Sequence, residues 1–507
     1  MPPIQFGADP RQSRLRTGKG GAAVAVKKHN QTPLYSALQA YAKTNITHFD
    51  VPGHKKRMPL GGIYDQKLMR YDANSTRALD MLSNPSGVIA RAEELLADAY
   101  NADAAYMLVG GSTFGIQAMI MTACGPHDKI LMPRNVHKSA IGAIILSGAV
   151  PVFIEPEINY EYGVANGMPY ASVLAAIQEN PDAKALFLVN PTYFGAVSDL
   201  RSIIRLCRRK KIAVLVDEAH GAHFPFHPDF PDEAMTLGAD MSVVSMHKTA
   251  GSLTQSSVLL LNEKLFDRHD VLGSINLMQT TSASYLLLGS LDLARKKLMM
   301  EGKAMFDRIL CATEDVKRRI AKIPGLSVMT RDDVNGIGMY DYDETKIVVR
   351  VNELGMTGFE AYKMLLEEYN IQMELAETYV VLAVVGVGDD ISTINILVEA
   401  LEDMSRRFYG KRDPLQVEMA GFFEKPKTVI APRDAYYTPK RVVKLEDSLG
   451  EVAGESVMIY PPGIPLLIPG ERITEKVLEH YRFYLTHHCN IMTDENDPGN
   501  ITILGSD

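Results

Sequence analysis

Residues 185–217 read ALFLVNPTYFGAVSDLRSIIRLCRRKKIAVLVD. A short apolar run (185–189) is followed by a helical stretch (200–209) and a second apolar run (213–216). Both runs are almost continuously apolar, as strands buried on both faces should be. The same rhythm extends outward. Upstream, apolar runs fall at 104–109, 129–132 and 150–154, with helical stretches at 115–123, 138–146 and 171–179. Downstream, further runs fall at 241–245 and 258–261. Ahead of all of them, Val88, Ile89, Ala92, Leu95, Leu96 and Ala99 recur at helical spacing. The alternation predicts an α/β fold with a mostly parallel sheet covered on both faces.

Beyond this block, residues 284–322 read as one long helical connection. A second, smaller α/β unit follows, with runs at 346–351 and 380–385 and helices at 358–369 and 391–407. Proline then becomes dense, from Pro414 and Pro426 to Pro461, Pro462, Pro465 and Pro469. The expected division is a tail (1–30), a large domain (31–300), a small α/β domain (301–411) and a C-terminal domain (412–507). The tail carries Arg11, Arg14, Arg16 and Lys19 without an apolar core after them, which excludes a secretory signal. It reads as a solvated segment, an organellar transit peptide being the other reading.

A chain of 507 residues is too long for one core. Its 46% apolar and 22% charged residues are ordinary for a globular protein. A net charge of −8 argues against a nucleic-acid binder. The four cysteines (Cys124, Cys207, Cys311 and Cys489) form no CxxC pair, which points away from zinc and disulfides and toward a cytoplasmic, reducing compartment. The longest apolar stretch (140–154) is interrupted by Ser147, Gly148 and Pro151 and is too short to cross a bilayer.

Open α/β sheets bind ligands at the carboxyl ends of their strands, and four such ends carry chemistry. The run 104–109 leads into Gly110-Gly111-Ser112-Thr113, a phosphate cradle at a helix start; an ordinary capped helix needs the same residues. After 129–132 comes His137, a candidate for stacking on a planar ligand. The run 213–216 ends in Asp217-Glu218-Ala219-His220. The string DEAH invites a helicase reading, but no GxxxxGK[ST] accompanies it, and the reading is rejected. The run 241–245 leads into Ser245-Met246-His247-Lys248, where a desolvated lysine becomes an amine nucleophile.

One ligand needs all four: a phosphorylated aromatic aldehyde with a ring nitrogen, pyridoxal phosphate. Lys248 would hold it as a Schiff base. Asp217 would pair with the ring nitrogen, His137 and Ala219 would sandwich the ring, and His220 would stand near the phenolic oxygen.

These residues, together with the strings TPLYSALQAYA, FDVPGHKKR, MPRNVHKSA, NPTYFGAVSDL, SMHKTAGSLTQSS and YPPGIPLLIPGE, resemble the fold-type-I Orn/Lys/Arg decarboxylases over residues 32–474. The resemblance implies that Lys248 binds the cofactor, and that Ser245 and His247 bind phosphate or touch substrate. It also implies that Thr280, Thr281 and Ser282 reach the cofactor phosphate of a neighbouring subunit, in a homodimer or higher assembly. The chain is similar to the short form without an N-terminal wing domain, so arginine is the expected substrate, with lysine and then ornithine behind it. Glu471 is the carboxylate put forward for the substrate. One departure lies at Asp80–Gly87, where the short form is often acidic and His-rich; if that stretch touches substrate, specificity has moved. Another reaction of the same cofactor and an inactive regulator on this scaffold remain as alternatives.

Overall fold

The computed structural model describes residues 27–416, 426–460, 464–487, 489–495 and 497–505. Residues 1–26 of the expected tail lie outside them, as do Pro461 and Pro462. Residues 27–30 are docked on the large domain: His29 is buried, with Nε2 2.7 Å from Asp98 Oδ2.

Seven strands form the main sheet: β1 (Ala104–Leu108), β2 (Lys129–Pro133), β3 (Val150–Ile154), β4 (Ala185–Val189), β5 (Ala213–Asp217), β6 (Met241–Val244) and β7 (Ser257–Leu261). Their order is β1-β7-β6-β5-β4-β2-β3. Strand β7 pairs antiparallel with both β1 and β6, and every other pair is parallel. Strand β1 therefore runs the same way as β2–β6, and their carboxyl ends share one edge.

Side chains alternate between the faces of a strand. Phe187 and Leu215 pack with Phe114, Ile116, Ile141 and Ile144 on one face. Leu186, Leu188, Val214 and Val216 pack with Val173, Ile177, Ile203 and Ile204 on the other. This two-sided burial explains the unbroken apolar runs, each such side chain contributing about 1.5–3 kcal/mol. Gly115 lets its helix press onto the sheet, because a Cβ there would lie 2.7 Å from Leu108 and 2.9 Å from Val243. The helix Leu200–Lys210 starts on Asp199, whose carboxylate accepts from Ser202 N, and ends in Arg208, Arg209 and Lys210 against the negative end of its dipole.

The long helix Tyr285–Ile320 runs unbroken through residue 300, so no element ends at the expected domain boundary. It leads to a four-stranded antiparallel sheet built from Ser327–Val328, Lys346–Arg350, Val380–Val384 and Leu375–Ala376. The helix Gly358–Tyr369 begins in a capping box of Thr357 and Glu360. The last region pairs Lys440–Lys444 with Asn500–Leu504 and packs Leu467, Val457, Leu478, Tyr481, Ile501 and Ile503 into a core of its own. No helix among the described residues is long and apolar enough to cross a membrane.

Candidate active site

The carboxyl edge of the main sheet holds a cleft enclosing about 310 Å³, solvent at its mouth included. Ser112 follows β1, His137 follows β2, Val189 and Pro191 close β4, and Asp217 ends β5. Ala219, His220 and Lys248 complete the lining with Tyr193. Six of the residues expected from sequence thus meet in one place, from segments spread over 137 positions of the chain (112 to 248).

Lys248 sits in a short helical turn, Met246–Thr249, directly after β6. Its Nζ lies 2.9 Å from His220 Nε2. Burial lowers its pKa; Asp217 and Glu374 oppose that effect and Lys346 adds to it. A larger neutral fraction is what an amine nucleophile requires. Asp217 is buried, and its carboxyl is raised by desolvation against the pull of Lys248 and of the Ala219 amide, which donates to Oδ1 at 3.1 Å. Glu218, next in sequence, turns the other way and accepts from Ala234 N (2.9 Å) and Ser242 Oγ (3.2 Å). Desolvation also lowers His220 well below the ordinary histidine range, aided by Lys248 and Lys346. His137 caps the next helix through Ser139 N (3.2 Å) and is lowered to about 4, first by burial and then by Lys248 and Lys138, so at neutral pH its ring is uncharged.

These donors fit pyridoxal phosphate. Asp217 presents a desolvated carboxyl group with one backbone partner, placed to receive a pyridinium N–H. Gly111 opens the helix after β1 with φ +74°, a left-handed conformation suited to glycine, and places Ser112 at the cleft. Ser245 Oγ is buried with no hydrogen-bond partner, as is His220 Nδ1. An unmet buried polar atom costs about 1–3 kcal/mol, which a phosphate or hydroxyl partner would recover.

Residues 32–393 match the family described as Orn/Lys/Arg decarboxylase, major domain, and residues 415–495 match its C-terminal domain. The chain belongs to the Orn/Lys/Arg decarboxylase family. An arginine decarboxylase from Bacillus anthracis is 42% identical over 459 residues, covering 89% of this chain and 92% of that protein. A lysine decarboxylase from Hafnia alvei is 24% identical, over 88% of this chain and 73% of that one. In fold, the crystal structure of a Francisella novicida lysine decarboxylase matches with a TM-score of 0.81 at 18% identity, over 94% of this chain and 81% of that one. The large domain is accordingly the fold-type-I scaffold of pyridoxal-phosphate enzymes.

Not every expected residue of this decarboxylase-family chain lies in its own cleft. Thr113 is in the helix after β1 but outside the lining, and His247 turns away, with Nδ1 3.0 Å from Ser256 O. Thr281 and Ser282 are exposed on the surface. Glu471 lies outside the cleft lining; it is fully buried and bound to Arg134 NH2 (2.9 Å) and Ile468 N (2.9 Å). The Asp80–Gly87 stretch is structural at its start: Asp80 accepts from the amides of Met81, Ser86, Gly87 and Ile89 and anchors a helix start.

Sequence reading missed three residues. Pro191 and Tyr193 follow β4 at the same edge as the others, and that position was the available signal. Tyr193 meets the His220 ring edge-on, with centroids 5.1 Å apart. Glu374, an exposed carboxylate whose charge acts on both Lys248 and His247, had no local signal. Through Tyr193 the cleft adjoins a larger cavity of about 940 Å³, which carries Glu155 and Glu377 but no amine nucleophile.

Proposed function

We propose that this protein uses pyridoxal phosphate, held by Lys248, to remove the α-carboxylate of a basic amino acid as carbon dioxide, with L-arginine giving agmatine as the preferred reaction. The observation that carries the reading is the convergence of Lys248, Asp217, His137 and Ala219 in one desolvated cleft at the carboxyl edge. The likeness to arginine decarboxylases over nearly the whole chain supports arginine over lysine. The bound cofactor supplies an electron sink for the carbon that loses carboxylate.

The chain's own groups do the rest. Asp217 would keep a proton on the ring nitrogen, and His137, neutral and flat, and Ala219 would hold the ring between them. Ser112 and Ser245 would receive phosphate oxygens, with Gly111 opening the helix beside them. His220, 2.9 Å from the Lys248 nitrogen, would stand near the ring hydroxyl, and Lys248 would return a proton to the product carbon. Glu374, an exposed carboxylate whose charge reaches Lys248, is our candidate for the distal group, where a guanidinium offers a bidentate fork. Glu374→Gln should raise KM for arginine about 10–100-fold with a smaller change in kcat, as loss of a charge-assisted pair predicts.

The test is product analysis with arginine, lysine and ornithine under identical conditions. Carbon dioxide and agmatine, with the highest kcat/KM for arginine, is the expected result. A keto acid product would overturn decarboxylation. Faster turnover of lysine would overturn the substrate alone.

We further infer a homodimer. Phe49, Val51, Met58, Leu60, Ile63 and Leu277 are apolar and exposed, more than scattered surface residues explain, and Leu277 lies just before Thr280–Ser282. Mixing Lys248→Ala chains with Ser282→Arg chains should restore some activity through hybrid sites. Hybrid dimers without recovery would refute shared sites. The scarcity of cysteine and the absence of any disulfide among the four free thiols support a cytoplasmic location.

A further inference from the structure

Behind the cleft lies a second, fully buried cluster of polar groups. His223, Asp343, Thr345 and Lys346 are each 0% exposed, on segments 120 residues apart in sequence. His223 Nδ1 is 3.1 Å from Thr249 Oγ1, and Thr249 is the residue after Lys248. His223 Nε2 is 3.2 Å from Asp343 Oδ1. Asp343 also accepts from Thr345 N (3.0 Å), Thr345 Oγ1 (2.7 Å) and Lys346 Nζ (2.7 Å). Phe224, Phe230 and Phe306 enclose the His223 ring. The Lys346 stem packs beneath Gly195, in the same loop as Tyr193; a Cβ on Gly195 would lie 3.0 Å from Lys346 Cγ.

Such a cluster is costly to bury, and apolar replacements of the same volume serve stability as well or better. Its placement accounts for it. It ties three segments together: the loop that carries Asp217 and His220, the turn that carries Lys248, and the first strand residues of the small sheet. We propose that the Asp343–Lys346 ion pair, locked by His223 to the Lys248 turn, is a positioning unit of the active site that fixes the Lys248 turn against the loop carrying Asp217 and His220.

The charged and titratable groups around Lys248 are Asp217, His220, His137, His247, Glu374 and Lys346. Those around Lys346 are Asp343, His223, His220, Lys248 and the Lys317–Glu344 pair. Of the first set, Lys346 is the cation whose field favours an unprotonated Lys248. Removing Asp343 together with Lys346 takes out the whole ion pair and leaves no uncompensated buried ion.

The inference rests on the proposed cofactor at Lys248, and the experiment separates the two. In the protein loaded with pyridoxal phosphate, the absorbance of the lysine-bound cofactor is titrated with pH for wild type, Lys346→Arg, Lys346→Met and the Asp343→Asn/Lys346→Met double variant. In the apoprotein, the pH dependence of Lys248 acylation by a small reagent is followed by mass spectrometry. The expected result is a displaced Lys248 titration, by about tenfold in proton affinity, in both Met-containing variants, with Lys346→Arg close to wild type. Unchanged titrations in a folded double variant would overturn the proposal. A wild-type protein that never shows lysine-bound cofactor would instead overturn the cofactor reading, and the apoprotein titration would still decide the role of Lys346.

Discussion

Two buried charge clusters in the large domain contrast in how their hydrogen bonds are met. In the long helix, Asp292 and Arg295 are fully buried and 2.7 Å apart. Asp292 also accepts from Leu34 N and Tyr35 N, and Arg295 donates to the carbonyls of His29 and Gln31. In the cleft, Asp217 has one backbone donor and Lys248 has one neutral imidazole. The first cluster is met by protein at every side-chain polar atom except Arg295 Nε, and it staples the N-terminal segment to the helix. The second is left open, at an energetic cost that a ligand can offset. Open buried charge at a sheet edge marks where a ligand is bound, and closed buried charge marks where the protein fixes its own segments.

The contrast predicts which loss each mutation causes. Lys248→Ala should abolish turnover and covalent retention of cofactor while leaving apoprotein stability unchanged or raised, because it removes a desolvated amine. Measurable turnover, or a collapse in Tm, would break the distinction. Asp217→Ala should still bind cofactor yet lose about 10²–10⁴ in kcat, the scale expected when a preorganised charge partner is removed. Near-normal kcat would remove Asp217 from its assigned place.

The converse holds in the closed cluster. Arg295→Met strands Asp292, whose carboxyl is already raised by desolvation against the opposing pull of Arg295. The expected loss is about 3–5 kcal/mol in denaturant titration. Turnover per folded active site should remain within a few-fold of wild type. A selective fall in kcat with unchanged stability would show that closure does not identify architecture.

The sequence carried the open cluster better than the closed ones. Asp217 and Lys248 are legible because each directly follows a strand whose unbroken apolar run marks burial on both faces, and strand ends are where such sheets bind ligands. The main strands were placed to within a residue or two for the same reason. Partnerships across long separations were not legible. Glu471 looked free in a proline-rich string, yet its partner Arg134 lies 337 positions away. His223, Asp343 and Lys346 form one cluster only once the small sheet folds back on the Lys248 turn. The short strands of the C-terminal region, such as Asn490–Met492, are too brief for a period-2 pattern to emerge.

The smallest expected effect tests the same principle away from both clusters. Glu93 lies in the helix Val88–Ala99, and its Oε1 accepts from Met107 N at 2.9 Å. Desolvation pushes its carboxyl up to about 8, the Met107 amide pulls it down, and Asp80 adds to the rise. In the unfolded chain the same group ionises near its ordinary value of 4.5. A folded-state value above the unfolded one means the native state binds the proton more tightly. That contribution is fully present below about pH 4.5 and is lost as pH rises toward 8. Wild-type stability should therefore decline through this window. Glu93→Gln keeps an acceptor for Met107 N without a titrating proton, so its stability should not share the decline. The variant should match wild type near pH 5 and exceed it by about 1–3 kcal/mol at pH 8, less than the full linkage because the side chain retains some water. Denaturant titrations of both proteins at pH 5, 6.5 and 8 measure the divergence. A constant difference across the three values would show that Glu93 is ionised in the folded state, and that Met107 N and solvent satisfy the carboxylate as fully as the protein satisfies Asp292.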